Sequence, residues 1–395
     1  MTGPGERLRV TVLNPFGYEL FEPASRASRA FGGAEVQLRY LAAGLAALPG
    51  TDVTVLVEQP VSGPRHDRID GVRIRFVPPS GPVERLRARL PVPSGYAVAA
   101  VRSRPDVVVQ RGGAVLAVDA ALAAGLVRAA FVFMSAHDWD CGMRHVRPGQ
   151  RLSGRAYVAA LRRAHGVVAQ SRWQAAELQR WHGIEAAVLE NVLPPVPVTG
   201  PVAGGPVLWI GRCVGWKRPD AFLDLAAALP HRRFVMVSPA YPGEEELAGQ
   251  VAARARAAAN VEFVPSLPFR EADALFAGAS VFANTSVAEG FPNTFLQAWR
   301  VGVPVASLDV DPDGVVRRHG LGVVGDGSLE RLARRLDALL GDPAVLRAAG
   351  RAARAHFDSR HDAGTAVLRL RAVLADAVHR ARGSRWDRIR TPVPR

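Results

Sequence analysis

Thr285-Ser-Val-Ala-Glu-Gly-Phe-Pro-Asn-Thr-Phe-Leu-Gln-Ala-Trp299 follows the apolar run Ala279-Ser-Val-Phe-Ala283. That run reads as a buried strand. Glu289-Gly290 makes a sharp turn. Pro292 suits the first position of a helix, where its missing N–H would have been unpaired anyway. Phe295, Leu296 and Trp299 then recur at helical spacing. The free N–H groups and positive dipole end of such a helix favour a phosphate or a sugar hydroxyl. Glu289 stands just before that end, and Gln297 lies one to two turns along the helix. A carboxylate, a row of backbone donors and an amide can therefore line one site. An ordinary strand–turn–helix with Glu289 as a helix-terminal acid is the plainer alternative.

Working outward, short β-branched runs alternate with helical stretches on both sides of this segment. Toward the C-terminus come a strand at 303–308, a loop at 309–314, and helices at 329–340, 344–357 and 363–381. Upstream, residues 207–211 form a strand that leads into Arg212-Cys-Val-Gly-Trp-Lys217-Arg-Pro-Asp220, with a strand at 233–238, a helix at 244–258 and a strand and loop at 260–269. Proline and glycine crowd residues 194–206, which reads as a linker between domains. Before it, strands are expected at 8–13, 53–57, 72–77 and 107–109, residues 131–140 read as a buried strand opening into a polar loop, and 167–177 as a strand, a Ser171 helix cap and a helix. The alternation argues for parallel sheets with crossover helices. No G-x-G-x-x-G follows the first strand, so a nicotinamide-binding domain is not supported.

The chain of 395 residues, 48% hydrophobic, suffices for two domains with real cores. Two cysteines, Cys141 and Cys213, cannot make a disulfide framework and suggest a reducing compartment. The polar start suggests no signal peptide. The most apolar region, 114–134, is broken by Asp119 and Arg128 and reads as a helix then a strand, not a membrane span. A formal charge of +14 points to anionic partners. Lys217 is the only lysine. A lone lysine among arginines is a candidate for a task a planar guanidinium cannot fill, such as meeting a phosphate as a point charge. Chance is the alternative. Arg85, Arg87 and Arg89, and Arg151, Arg155 and Arg162 on one helix face, read as solvated surface or as a contact with an anionic surface. Asp138-Trp-Asp140 and Asp309-Val-Asp311 have D-x-D spacing, which can hold a divalent metal but is common by chance.

The stretch EGFPNTFLQAW resembles the E-x7-E signature of the family 4 retaining glycosyltransferases, with Gln297 in place of the second glutamate. The resemblance is strongest from Gly211 to Asp313. It implies a GT-B fold: two doubly wound Rossmann-like α/β domains facing across a cleft, with a C-terminal helix crossing back to the first domain. The expected bounds are 1–195 for the acceptor-side domain, 206–362 for the donor domain, and 363–395 for the crossover helix and basic tail. Glu289, Gly290, Phe291, Asn293 and Thr294 would grip the hexose, and Gln297 the ribose, since an amide still hydrogen-bonds hydroxyls. Gly211, Arg212 and Lys217 resemble the element that holds the donor diphosphate. Leu267 would meet the base. The Gly32-Gly33 loop and His137 would complete the donor site, a plain loop and a structural histidine being the alternatives.

The activity implied is transfer of a hexose-type sugar from a nucleotide sugar to a hydroxyl acceptor (glycan, lipid-linked or small molecule), with retention. No metal or other cofactor and no nucleic acid are expected. The expected location is cytoplasmic, with peripheral contact to the inner face of a membrane left open. A sugar-nucleotide epimerase and a non-enzymatic anion-binding protein are the rival readings.

Overall fold

The computed structural model describes residues 7–22, 31–58, 65–78, 95–142, 151–268 and 271–390. The arginines at 85, 87 and 89 lie outside the described residues. By its internal contacts the chain divides into two compact units. The first is Met1–Ser25, Gly32–Glu190 and Ala363–Arg395; the second is Arg26–Phe31 and Asn191–Asp362.

The first unit contains strands β1 (Leu8–Leu13), β2 (Thr51–Glu58), β3 (Arg68–Ile69), β4 (Val72–Val77), β5 (Val107–Arg111), β6 (Ala130–Met134), β7 (Gly166–Ala169) and β8 (Ala187–Val188). Its sheet order is β3-β4-β2-β1-β5-β6-β7-β8, parallel except for the edge pair β3–β4. Helices α1 (Tyr18–Phe21), α2 (Gly33–Ala47), α3 (Gly95–Arg102), α4 (Ala114–Val127), α5 (Arg151–Arg162) and α6 (Arg172–His182) connect them. Central strands β5 and β6 are buried along their whole length, which is why β6 and the first three residues of β5 are apolar on both faces. Ser171 caps α6 by accepting from the Gln174 N–H at 3.1 Å.

The second unit has β9 (Val207–Ile210), β10 (Phe234–Val237), β11 (Val261–Val264), β12 (Val281–Asn284), β13 (Val305–Ser307) and β14 (Gly322–Val324), all parallel, in the order β11-β10-β9-β12-β13-β14. Its helices are α7 (Pro219–Ala228), α8 (Glu245–Ala257), α9 (Ala272–Gly278), α10 (Asn293–Val301), α11 (Val315–His319), α12 (Leu329–Gly341) and α13 (Pro343–Arg360). β14 was not expected from sequence. Its Gly322 (φ +144) approaches β13 so closely that a Cβ would stand 1.8 Å from the Val305 carbonyl oxygen. The 194–206 segment is laced onto this unit: the Gly200 N–H donates to Val301 O (2.8 Å) and the Val202 N–H to Ala279 O (3.0 Å).

Helix α14 (Ala363–Arg390) returns to the first unit and packs on α2, β6 and β7. Arg371 donates to Thr51 Oγ1 (3.3 Å) and Arg380 to His165 O (2.7 Å). The helix continues beyond Gly383, where a basic tail was expected. These two parallel-sheet Rossmann-like units with a returning C-terminal helix make a GT-B fold. Among the described residues no helix is long and apolar enough to cross a membrane.

Candidate functional site

In an open parallel sheet, ligands bind beyond the carboxyl ends of the strands where the strand order reverses. In the second unit that point lies between β9 and β12. The two segments singled out in the sequence leave the sheet from these two strands.

After β9 the chain turns through a short 3-10 helix, Gly215–Lys217, and Arg218 adopts a left-handed conformation (φ 49). Thr285, just past β12, holds this turn. Its hydroxyl is 2.8 Å from both Lys217 O and Arg218 O, and it accepts from Trp209 Nε1 at 3.0 Å. The Val287 N–H donates to Trp216 O at 2.9 Å. With its backbone fixed this way, the Lys217 ammonium pairs with Glu289 Oε1. Ser286 Oγ donates to the same carboxylate oxygen at 2.7 Å. The side chains are 20% and 12% exposed, so both stay open to an incoming ligand while water screens them only in part. Arg218 pairs with Asp309 at 3.2 Å.

Helix α10 begins at Asn293, and Pro292 is its cap (φ −64, ψ 122) rather than its first residue as expected. An extended ψ at proline turns the chain into the helix one residue later. Asn191 Nδ2 ties down the entry, donating to Phe291 O (2.8 Å) and Asn293 Oδ1 (2.9 Å). Gly290 is buried, and Asn293 and Thr294 are half-buried. The Phe291 ring is buried against Trp299 and His361, which leaves its backbone as the part able to meet a ligand. Gln297 is 6% exposed. Leu267 follows β11 and is half-buried. Gly211 is tightly placed: a Cβ there would lie 2.9 Å from the Trp209 ring. Arg212 does not join Lys217 on one spot through any described contact; its guanidinium lies over the Tyr241 ring, 5.1 Å from the centroid. The residues brought together are therefore Lys217, Glu289 and Ser286, beside the start of α10.

In the first unit the strand order reverses between β1 and β5. Gly32 caps α2 and Gly33 opens it. His137 follows β6 and caps a short 3-10 helix, Asp138–Asp140. Its Nδ1 accepts from the Trp139 N–H at 3.2 Å, which places the proton of the neutral ring on Nε2. Sequence reasoning passed over Arg111, at the end of β5. It is 4% exposed; burial lowers its pKa to about 10, while the charges of Asp140 and Glu35 oppose that fall. Asp140 accepts from the Ala136 and His137 N–H groups (2.7 and 2.9 Å), and Glu35 lies in the first turn of α2. One buried guanidinium thus feels acids from both loops. The signal available was a charged residue ending an apolar strand before a glycine pair. Gly112 and Gly113 take positive φ (59 and 65), and a Cβ on Gly112 would stand 2.7 Å from Ala136 Cβ.

Both D-x-D pairs have partners within the chain. Asp138 accepts from Gln174 (2.8 Å), Asp311 from the Val316 N–H (2.8 Å), and Asp309 pairs with Arg218. Among the described residues no three His, Cys, Asp or Glu gather as a metal-binding group.

Cys141 and Cys213 are buried, and burial first of all raises both thiols above their ordinary pKa. Neither should react with iodoacetamide at pH 8 in the native protein, and both should after denaturation. Alkylation of the native protein, read by mass spectrometry, would contradict this burial.

Comparison with known proteins adds two family matches. Residues 205–342 match the model described as "Glycosyl transferases group 1", and residues 31–197 match "Glycosyltransferase Family 4". The chain is similar in structure to the sucrose-phosphate synthase of Thermosynechococcus elongatus (TM-score 0.73, 18% identity, 93% of this chain and 98% of that one). It is also similar to Anabaena Alr3699/HepE in complex with UDP and glucose (TM-score 0.71, 17% identity, 93% and 100%). A third similar structure is a glycosyltransferase from Rickettsia africae ESF-5 (TM-score 0.65, 14% identity, 94% and 99%). No curated protein sequence matches the chain.

Proposed function

We propose that this glycosyltransferase of GT-B fold moves a hexose-type sugar from a nucleotide-sugar donor to a hydroxyl acceptor, with retention at the anomeric carbon. The observation that carries the reading is the Lys217–Glu289 pair at the β9–β12 switch point, beside the start of α10.

A cation and an anion held this way are two halves of a donor site. The donor diphosphate takes the ammonium of Lys217, since a dianionic group is a stronger partner than one carboxylate. Glu289, still anchored by Ser286, then turns its oxygens to the hexose hydroxyls. The free N–H groups of α10 face the growing negative charge as the glycosidic bond to phosphate breaks. In this reading the leaving phosphate accepts the acceptor's proton, and neither metal nor separate base takes part. Gly211, Arg212 and Leu267 are assigned to the nucleotide, Gln297 to the ribose, and Gly32, Gly33 and His137 to substrate binding on the first unit. The HepE structure holds UDP and glucose, which is the donor chemistry proposed for this chain. The proposed location is cytoplasmic.

A thermal-shift panel of nucleoside diphosphates and nucleotide sugars tests the donor. One base should raise the melting temperature, by an amount corresponding to about 2.7 kcal/mol at a hundred times its dissociation constant. The matching nucleotide sugar, offered with an acceptor, should give a product whose anomeric configuration by NMR equals that of the donor. A panel in which no nucleotide shifts the transition would remove the donor reading; an inverted anomer would remove retention alone.

A further inference from the structure

Helix α4 is apolar almost all round; Asp119 is its one charged residue, and it is buried. A helix of that composition is expected to be enclosed. Instead it lies over β5 and β6 between α3 and α5, burying Ala117, Ala120, Ala123 and Ala124 and leaving the other side open. Val115, Leu122 and Leu126 are 52%, 38% and 68% exposed. Their spacing of seven and four puts them on one face, with Val118 and Gly125 beside them. Val98 of neighbouring α3 is exposed as well. Scattered single leucines on a surface mean nothing, but a continuous apolar stripe across adjacent helices does.

The surroundings of the stripe name its partner. Arg102 ends α3 and Arg104 follows it, Arg128 caps α4, and Arg155, Arg162 and Arg163 lie on and just after α5; all six are exposed. None of them pairs with an acid among the described residues. No exposed acid occurs on α3, α4 or the described part of α5. On α5 a groove of about 480 Å³ is lined by Gly154, Arg155, Val158, Ala159, Arg162 and Arg163. Tyr157 and Leu161, on the other side of that helix, are buried in the core, so the groove opens away from the sheet, as the α4 stripe does.

We propose that the outer face of α3, α4 and α5 docks on an anionic lipid bilayer, with the α4 stripe entering the headgroup–acyl boundary and the flanking arginines holding lipid phosphates. Apolar side chains next to unpaired guanidinia fit that boundary, where an apolar layer lies directly under a negative one. A second copy of this chain fits less well, because it would set six like charges against six. The inference does not depend on the sugar-transfer reading, and its test needs no activity.

The full-length protein is sedimented with phosphatidylcholine vesicles, with or without a minority of phosphatidylglycerol. Partitioning should be at least about tenfold greater on the anionic vesicles. The Leu122→Ser/Leu126→Ser variant should lose about tenfold of that binding. The Arg155→Gln/Arg162→Gln variant should lose a similar factor, with unchanged circular dichroism and melting temperature in both. Equal binding to neutral vesicles would overturn the proposal. So would anionic binding that the serine variant leaves untouched, since that is mere adsorption of a cationic protein. A dimer seen by analytical ultracentrifugation and lost in the serine variant, without vesicle binding, would assign the stripe to self-association instead.

Discussion

Lys217→Ala is expected to lower turnover about 10²–10³-fold, the usual loss when one group stabilising a developing charge is removed. The Lys217 backbone is held by Thr285, and its ammonium meets Glu289, which Ser286 also holds, at the sheet's switch point. The substitution leaves that backbone frame in place, so the melting temperature should stay near that of the parent. The loss should appear mainly in kcat, because the diphosphate gains charge as the bond breaks. Lys217→Arg should restore only part of it, since a planar fork does not reproduce a compact ammonium. Near-normal turnover of the alanine variant, with folding confirmed, would exclude Lys217 from the reaction. Loss of the fold would instead assign the Lys217–Glu289 pair to structure.

The second large effect is on stability. Arg111→Leu should destabilise the first unit by about 3–5 kcal/mol, the cost of removing one partner from a buried charge group. That corresponds to a fall in melting temperature of about 6–20 °C for a unit of this size. Arg111 is 4% exposed, and burial lowers its pKa only to about 10, so it stays cationic at neutral pH. Without it, the Asp140 carboxylate, 7% exposed, loses a cation that offsets its burial, although the Ala136 and His137 N–H groups still donate to it. The His137 loop and the start of α2 would loosen together, which hydrogen exchange on those two segments can read. A melting temperature within about a degree of the parent would show that these acids do not need the guanidinium.

Particular residues show what kind of information the sequence carries. Short β-branched and apolar runs located β1 and β4 to the residue, because the buried positions of a strand leave a local record. Ser171 announced the α6 cap for the same reason: a cap is a contact within four residues. The 285–299 stretch announced both an acid and a helix start, and the solitary lysine drew notice to 217. The contact of Arg212 with a tyrosine ring from another loop has no mark in a linear pattern. Pro292 was misplaced by one residue because its ring fixes φ but leaves ψ free to stop short of the helix.

The sequence by itself determined two parallel α/β units, a helix start near α10, and the residues that the proposed function assigns to a diphosphate. Only the tertiary structure decided that Lys217 meets Glu289, 72 positions away, that Arg111 is buried under the influence of acids from two loops, and that α4 leaves one side bare. The physical reason is that periodicity and turn chemistry act between near neighbours. Which loops meet follows from strand order, and which face of a uniformly apolar helix is covered follows from the sheet beneath it.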